Sequence, residues 1–165
     1  MTGLVVGGVL GDGVVLPGTL SFTNLSLGSS PGVARITNTG LMLSALTSSS
    51  LTIGSTVSLT GGGTVALTGT IDLPTYGTLT PHYFSSDNLI VGQGTIGAGS
   101  RGYPLVLNNF GTITAQGGEL LLMTARVTNR SAISPASINT GVLRAVYRNG
   151  SNRHARRHLH NRKER

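Results

Sequence analysis

The sequence is organised around a recurring step in which glycine, threonine and an aliphatic residue follow one another. The step occurs at residues 18–20, 63–65, 69–71, 77–79, 94–96 and 111–113. Glycine supplies the positive φ of a tight corner, threonine tolerates the pleated backbone of a strand, and the aliphatic residue is placed to point inward. Each step therefore predicts a corner followed by a short β-strand.

A second recurrence places an aliphatic strand after Asn-x-Gly, at residues 38–41, 109–115 and 139–145. Short strand-like runs separated by Gly, Asn, Ser or Pro lie around these motifs, at residues 56–59, 64–67, 105–107 and 120–123. Repetition of one unit every roughly 20 to 50 residues is typical of a solenoid, in which each coil buries its apolar face against the next. The chain is therefore predicted to be an all-β solenoid.

An antiparallel β-sandwich is the alternative, because short strands about 8 to 12 residues apart with turns between them predict that fold equally. The stretch 54–73 could even form hairpins, since Gly61-Gly62-Gly63 separates two alternating strands. That stretch alone does not decide between the two folds.

The apolar residues indicate thin, repeated layers. Hydrophobic residues make up 38% of the 165-residue chain, but aromatic residues only 4%, so the core has to be built from Val, Leu, Ile and Ala. The predicted layers contain Val57, Leu59, Val65, Leu67, Ile71, Leu89, Ile96, Leu107, Ile113, Leu121 and Leu143.

The positive charge is concentrated at the end of the sequence. Residues 1–145 carry five arginines and four acids, a net charge of +1, whereas residues 146–165 carry six arginines and one lysine against one glutamate, a net charge of +6. We predict a solenoid domain at 1–145 and a basic, disordered tail at 146–165. Such a tail could contact phosphates, including those of nucleic acid, weakly and in a salt-dependent way.

Several classes of protein are disfavoured by what the sequence lacks. Without cysteine there can be no disulfide, thiolate metal site or cysteine nucleophile. The apolar start, residues 1–16, has no basic segment and is broken by glycines, so it does not predict a secretory signal. No apolar run reaches the roughly 18 to 20 residues of a membrane-spanning helix.

Residues 92–97, Gly-Gln-Gly-Thr-Ile-Gly, match the glycine pattern of a dinucleotide-binding turn and precede Glu119 at a suitable distance. That turn binds a pyrophosphate only where a helix begins at the glycines. The next residues, 98–104, are interrupted by glycine and end in proline, which excludes such a helix. We interpret the motif as a corner of the solenoid.

Catalytic and metal sites are not predicted. Asp72, His82 and Asp87 are the plausible cluster for a polysaccharide-processing enzyme on this fold, but their spacing does not force them onto one face. Gly11-Asp12-Gly13 resembles a calcium-binding repeat that does not recur. His154, His158 and His160 suggest fortuitous nickel or zinc affinity at most. The Asn-x-Ser triplets at 24–26, 129–131 and 149–151 are interpreted as turns.

The order of several blocks resembles large bacterial β-strand-repeat proteins of the autotransporter and filamentous-haemagglutinin-like kind. The blocks are STVSLTGGGTVALT at 55–68, DNLIVGQGTIG at 87–97, LVLNNFGTITA at 105–115 and INTGVLRA at 138–145. The last two are similar to that family's coils of strand, Asn-x-Gly, strand and Ala, and the resemblance covers about residues 50–145. Residues 146–165 do not match the pattern.

The resemblance implies a right-handed parallel β-helix that is secreted or associated with the bacterial outer surface, where it adheres or serves as a rigid stalk. Members are usually far longer, so we expect a fragment. We predict a structural or adhesive segment that is not an enzyme and uses no cofactor. Its expected partners are surface glycans or proteins, and further copies of itself through the open ends of the solenoid. The alternatives are a polysaccharide-processing enzyme and an anion- or nucleic-acid-binding protein that uses its tail.

Overall fold

The computed structural model describes residues 3–5, 7–29, 32–74, 81–97, 105–122, 126–135 and 142–145, and every element in them is a β-strand. The predicted tail at 146–165, the Gly-Thr step at 77–79 and the Asn-x-Gly motif beginning at 139 lie outside the described residues or at their margin. In chain order the strands are β1 (Gly3–Val5), β2 (Val9–Leu10), β3 (Val15–Leu16), β4 (Thr19–Phe22), β5 (Asn24–Leu27), β6 (Val33–Asn38), β7 (Leu41–Ser44), β8 (Ser50–Ile53), β9 (Thr56–Thr60), β10 (Thr64–Leu67), β11 (Thr70–Asp72), β12 (Tyr83–Ser86), β13 (Leu89–Ile96), β14 (Val106–Asn109), β15 (Thr112–Leu122), β16 (Arg126–Asn129), β17 (Ala132–Pro135) and β18 (Val142–Ala145).

The strands form a right-handed parallel β-helix with three faces. The first face contains β1, β4, β7, β10, β17 and the starts of β13 and β15; the second contains β2, β5, β8, β11, β18 and the ends of β13 and β15. Because β13 and β15 run through the bend, these two faces form one 12-stranded sheet. The third face is a 6-stranded sheet of β3, β6, β9, β12, β14 and β16.

All pairs between the described strands are parallel, which confirms the predicted solenoid and excludes the antiparallel sandwich. The stretch 54–73 does not form a hairpin. Its strand β9 pairs with β6 and β12, whereas β10 pairs with β7 and β13. The three glycines 61–63 form the corner between β9 and β10.

One inward column of the first face shows how the coils stack. Register partners follow one another from Gly3 through Leu20, Met42, Val65, Ile90 and Ile113 to Ile133. The separation along the chain ranges from 17 residues, between Gly3 and Leu20, to 25, between Val65 and Ile90. Coil length therefore varies although the stacking stays in register.

The core follows the two-residue period of the strands and is largely the predicted set. Eight of the predicted layer residues are buried: Val57, Leu59, Val65, Leu67, Ile71, Ile96, Leu107 and Ile113. Leu89 was a wrong prediction, because it is 38% exposed and its neighbour Ile90 is buried. Leu121 is likewise only half-buried between the buried Leu120 and Leu122. The side chain of Leu143 lies outside those described.

Two corners connect the faces that matter for function. The amide corner lies between the third and first faces, at residues 39–40, 61–63, 87–88, 110–111 and 130–131. The hydroxyl corner lies between the first and second faces, at residues 23, 45–49, 68–69, 93 and 116–118.

Glycine at these corners is required mainly by close approach between coils, which differs from the predicted role of positive φ. Gly94 does have a φ of 122°. At Gly69, however, no positive φ is present, and a Cβ would collide with the backbone oxygen of Ser49 in the preceding coil. Coils stack at about 4.8 Å, which leaves no room for a side chain pointing along the axis.

Candidate functional site: the amide corner and its outer ridge

The inner side of the amide corner is held by buried asparagines. The side-chain nitrogen of Asn38 donates to the side-chain oxygen of Asn88 at 2.7 Å, and that of Asn109 donates to the side-chain oxygen of Asn129 at 2.8 Å. Asn38, Asn88 and Asn109 are fully buried. Because an amide can donate and accept at once, these side chains link one coil to another.

Each asparagine also binds the backbone of the turn. Asn109 Nδ2 donates to the backbone oxygens of Gly111 at 2.8 Å and Ala132 at 3.3 Å, and Asn88 Nδ2 donates to that of Leu59 at 3.1 Å. Such bonds satisfy carbonyl groups that face neither strand ladder at a corner. The predicted Asn-x-Gly motifs at 38–40 and 109–111 are therefore corners, as expected.

The sequence prediction missed two members of this set, Asn88 and Asn129. Asn129 is the register partner of Asn109, and the triplet 129–131 places serine where the earlier motif has glycine. The separation of 20 residues, close to one coil, was the available signal. The interpretation of residues 129–131 as a turn agrees with the structure, in which residues 130 and 131 form the bend after β16.

The outer side of the same corner is a ridge formed by Asp87, Phe110 and Arg130. These residues follow Ser86, Asn109 and Asn129, which are register partners in consecutive coils. All three are exposed, and Phe110 retains 47% of its surface. We call this set the corner ridge.

The two charges of the corner ridge are in different situations. The Asp87 carboxylate accepts hydrogen bonds from the backbone nitrogens of Gly61 at 3.2 Å and Gly62 at 3.1 Å, and from Asn88 Nδ2 at 2.9 Å. The Arg130 guanidinium lies 5.6 Å from the centroid of the Phe110 ring, and within the described residues that is its one interaction. Asp87 thus points toward the preceding coil, away from Phe110 and Arg130.

The third face beside the corner ridge is polar. Ser85, Asn108 and Thr128 are register partners two positions before the ridge residues, and all are half-buried. Asn108 Nδ2 donates to the Ser85 hydroxyl at 3.2 Å. The ridge is therefore bordered by hydroxyl and amide groups that can both donate and accept.

The structure does not bring Asp72, His82 and Asp87 together. His82 and Asp87 flank opposite ends of β12, about 16 Å apart at the rise of a strand. His82 is buried, with Nδ1 2.8 Å from the backbone oxygen of Ile53, and Asp72 ends β11. Burial raises the pKa of Asp72, an effect partly offset by the backbone N–H of Leu73, which donates to the carboxylate at 2.7 Å.

The other motifs have structural surroundings. Residues 92–94 lie inside β13 at the hydroxyl corner, so the corner interpretation is confirmed. Asp12 forms an exposed ion pair with Arg35 at 3.8 Å. Among the described residues, no three acidic or histidine side chains are grouped as metal ligands would be. The described part of the chain also has no helix of the length and apolarity needed to cross a membrane.

No protein-family model matches the sequence, and comparison with curated proteins and with solved structures finds no match. The resemblance to bacterial β-strand-repeat surface proteins therefore stays a prediction.

Proposed function

We propose that this chain is a structural or adhesive segment of a secreted or surface-displayed bacterial repeat protein. The observation that carries the proposal is the continuous parallel stacking of short strands on three faces. Stacking converts single polar residues of each coil into long outward columns with a spacing of about 4.8 Å. A rigid rod with such faces is suited to contact another surface at many points.

The outward columns contain the groups that recognise surface polymers. The second face presents Asn24, Ser50, Thr70 and Thr95 as successive register partners, none of them charged. Hydroxyl and amide groups bind sugar hydroxyls or peptide groups through directional hydrogen bonds. Many weak contacts on one rigid support give a high avidity even where each contact is weak.

The test is the retention of protein-coated beads under flow. Beads carrying the full chain would be passed over surfaces of polygalacturonate, dextran and gelatin, with beads carrying heat-unfolded chain as the control. The control has the same charge and the same residues 146–165, so it corrects for attraction by the basic tail. We expect greater retention of the folded chain on at least one surface. Equal retention of folded and unfolded chain on all three would refute the proposal.

A further inference from the structure

We propose that Phe110 and Arg130 of the corner ridge form a subsite for a carboxylated sugar, such as a uronic acid unit of a surface polysaccharide. This proposal rests on the proposed adhesive function and specifies one ligand class for it. The two residues occupy the same position in adjacent coils, and the guanidinium lies 5.6 Å from the ring centroid. Both side chains are exposed.

The charge of the subsite is positive. The carboxylate of Asp87 already accepts three N–H groups and is directed toward Gly61 and Gly62. Arg130, by contrast, has its N–H donors directed to no described residue. A guanidinium presents donors in a planar fork that matches a carboxylate, and an aromatic neighbour keeps that fork in place.

The shape of the subsite fits a sugar better than a simple anion. Phe110 is 47% exposed, which is unusual in a chain with so few aromatic residues. The face of an aromatic ring attracts the C–H groups of a pyranose, since the ring face is negative and those groups are slightly positive. A uronic acid carries its carboxylate one carbon outside the ring, so its ring can contact Phe110 while the carboxylate reaches Arg130.

The surroundings supply groups for the remaining sugar hydroxyls. Ser85, Asn108 and Thr128 border the ridge on the third face and lie in consecutive coils. Their hydroxyl and amide groups can donate to or accept from a hydroxyl of the ligand. The ridge therefore combines the three features that a carboxylated sugar requires: a ring surface, a guanidinium and a polar border.

The experiment is a titration of the full chain followed by its backbone amide NMR signals. The probes are methyl α-galacturonide, the neutral methyl α-galactoside and acetate. We expect the galacturonide to shift the amide signals of Phe110, Gly111 and Arg130, and to bind about tenfold more tightly than either other probe, as the loss of one charge-assisted pair predicts. Equal binding of galactoside would remove the role of Arg130, and equal binding of acetate would reduce the subsite to an anion site.

Variants separate the two side chains from the rest of the surface. R130Q and F110A should each weaken galacturonide binding by about tenfold, whereas R130K should weaken it less because the charge remains. The matched control is R35Q, since Arg35 is also exposed on the third face but is paired with Asp12. An equal loss in R35Q and R130Q would overturn the proposal. If beads carrying R130Q and F110A adhere like the unaltered chain, this subsite is refuted while the adhesive function stands.

Discussion

The amide corner and the hydroxyl corner solve the same problem with different groups. At the amide corner, buried asparagines bind from coil to coil and the described turns are two or three residues long. At the hydroxyl corner, single serine and threonine hydroxyls bind locally, and the turn varies from residue 23 alone to residues 45–49. The comparison indicates that the asparagines fix the register, while the hydroxyl corner accommodates differences in coil length.

The largest effect is expected where a corner leaves no space between coils. In G69A the new Cβ would collide with the backbone oxygen of Ser49 and lie 2.9 Å from its carbonyl carbon. Backbone atoms cannot move aside as a flexible side chain can, so we expect a loss of about 3 kcal/mol in the free energy of unfolding. Urea unfolding followed by circular dichroism measures it.

The matched control at the same corner is G117A. Gly117 has a φ of 82°, and a Cβ there would meet no atom within 4 Å. Only the left-handed backbone conformation is penalised, at about 1 kcal/mol. If the two variants lose the same stability, close approach between coils is not what requires glycine at the hydroxyl corner.

Removing one asparagine should cost more than removing one hydroxyl. N109A deletes three hydrogen bonds and leaves the oxygens of Gly111, Ala132 and Asn129 without this donor. We expect a loss of about 3 kcal/mol in the free energy of unfolding.

The comparison variant is S49A at the hydroxyl corner. Ser49 is buried, donates to the Phe22 oxygen at 3.2 Å and accepts from Leu46 N at 2.9 Å, so its loss should cost about 1 kcal/mol. Equal losses in the two variants, measured by the same urea unfolding, would contradict a special role of the amides in fixing the register.

Much of the fold could be predicted because the corners and the strands carry local signals. Gly63-Thr64-Val65 and Gly111-Thr112-Ile113 each lead into a strand with the aliphatic residue buried. Leu89 could not be placed correctly, because the run 89–91 is apolar on both faces and gives the period no phase. The pairing of Ile90 with Val65 and Ile113 sets that phase, and this pairing is a property of the stack.

The corner ridge could not be predicted for a related reason. Phe110 and Arg130 become neighbours only if the coil between them is 20 residues long. Coil lengths elsewhere in the stack range from 17 to 25 residues, so a sequence period does not identify the partner. The Asn-x-Gly pattern suggested a separation of 30 residues, from Asn109 to Asn139, whereas the structure pairs Asn109 with Asn129.

The smallest expected effect comes from a third corner, between the second and third faces, where Asp72 contrasts with Asp87. Asp87 accepts three N–H groups at the amide corner, whereas Asp72 is half-buried and accepts a backbone N–H from Leu73. Burial raises the pKa of Asp72 above its ordinary value of 3.8. The folded chain therefore keeps this proton to a higher pH than the unfolded chain does, and the stability falls as the pH rises through that interval.

D72N should accordingly raise the free energy of unfolding at pH 7, by about 0.5 kcal/mol because solvent screens a half-exposed group, and leave it nearly unchanged at pH 3. D87N is the control: an amide replaces the carboxylate that binds Gly61 and Gly62, so its stability at pH 7 should fall. Thermal unfolding at the two pH values measures both variants. A loss of stability in D72N at pH 7 would mean that the hydrogen bond from Leu73 outweighs burial, and that both carboxylates stabilise their corners.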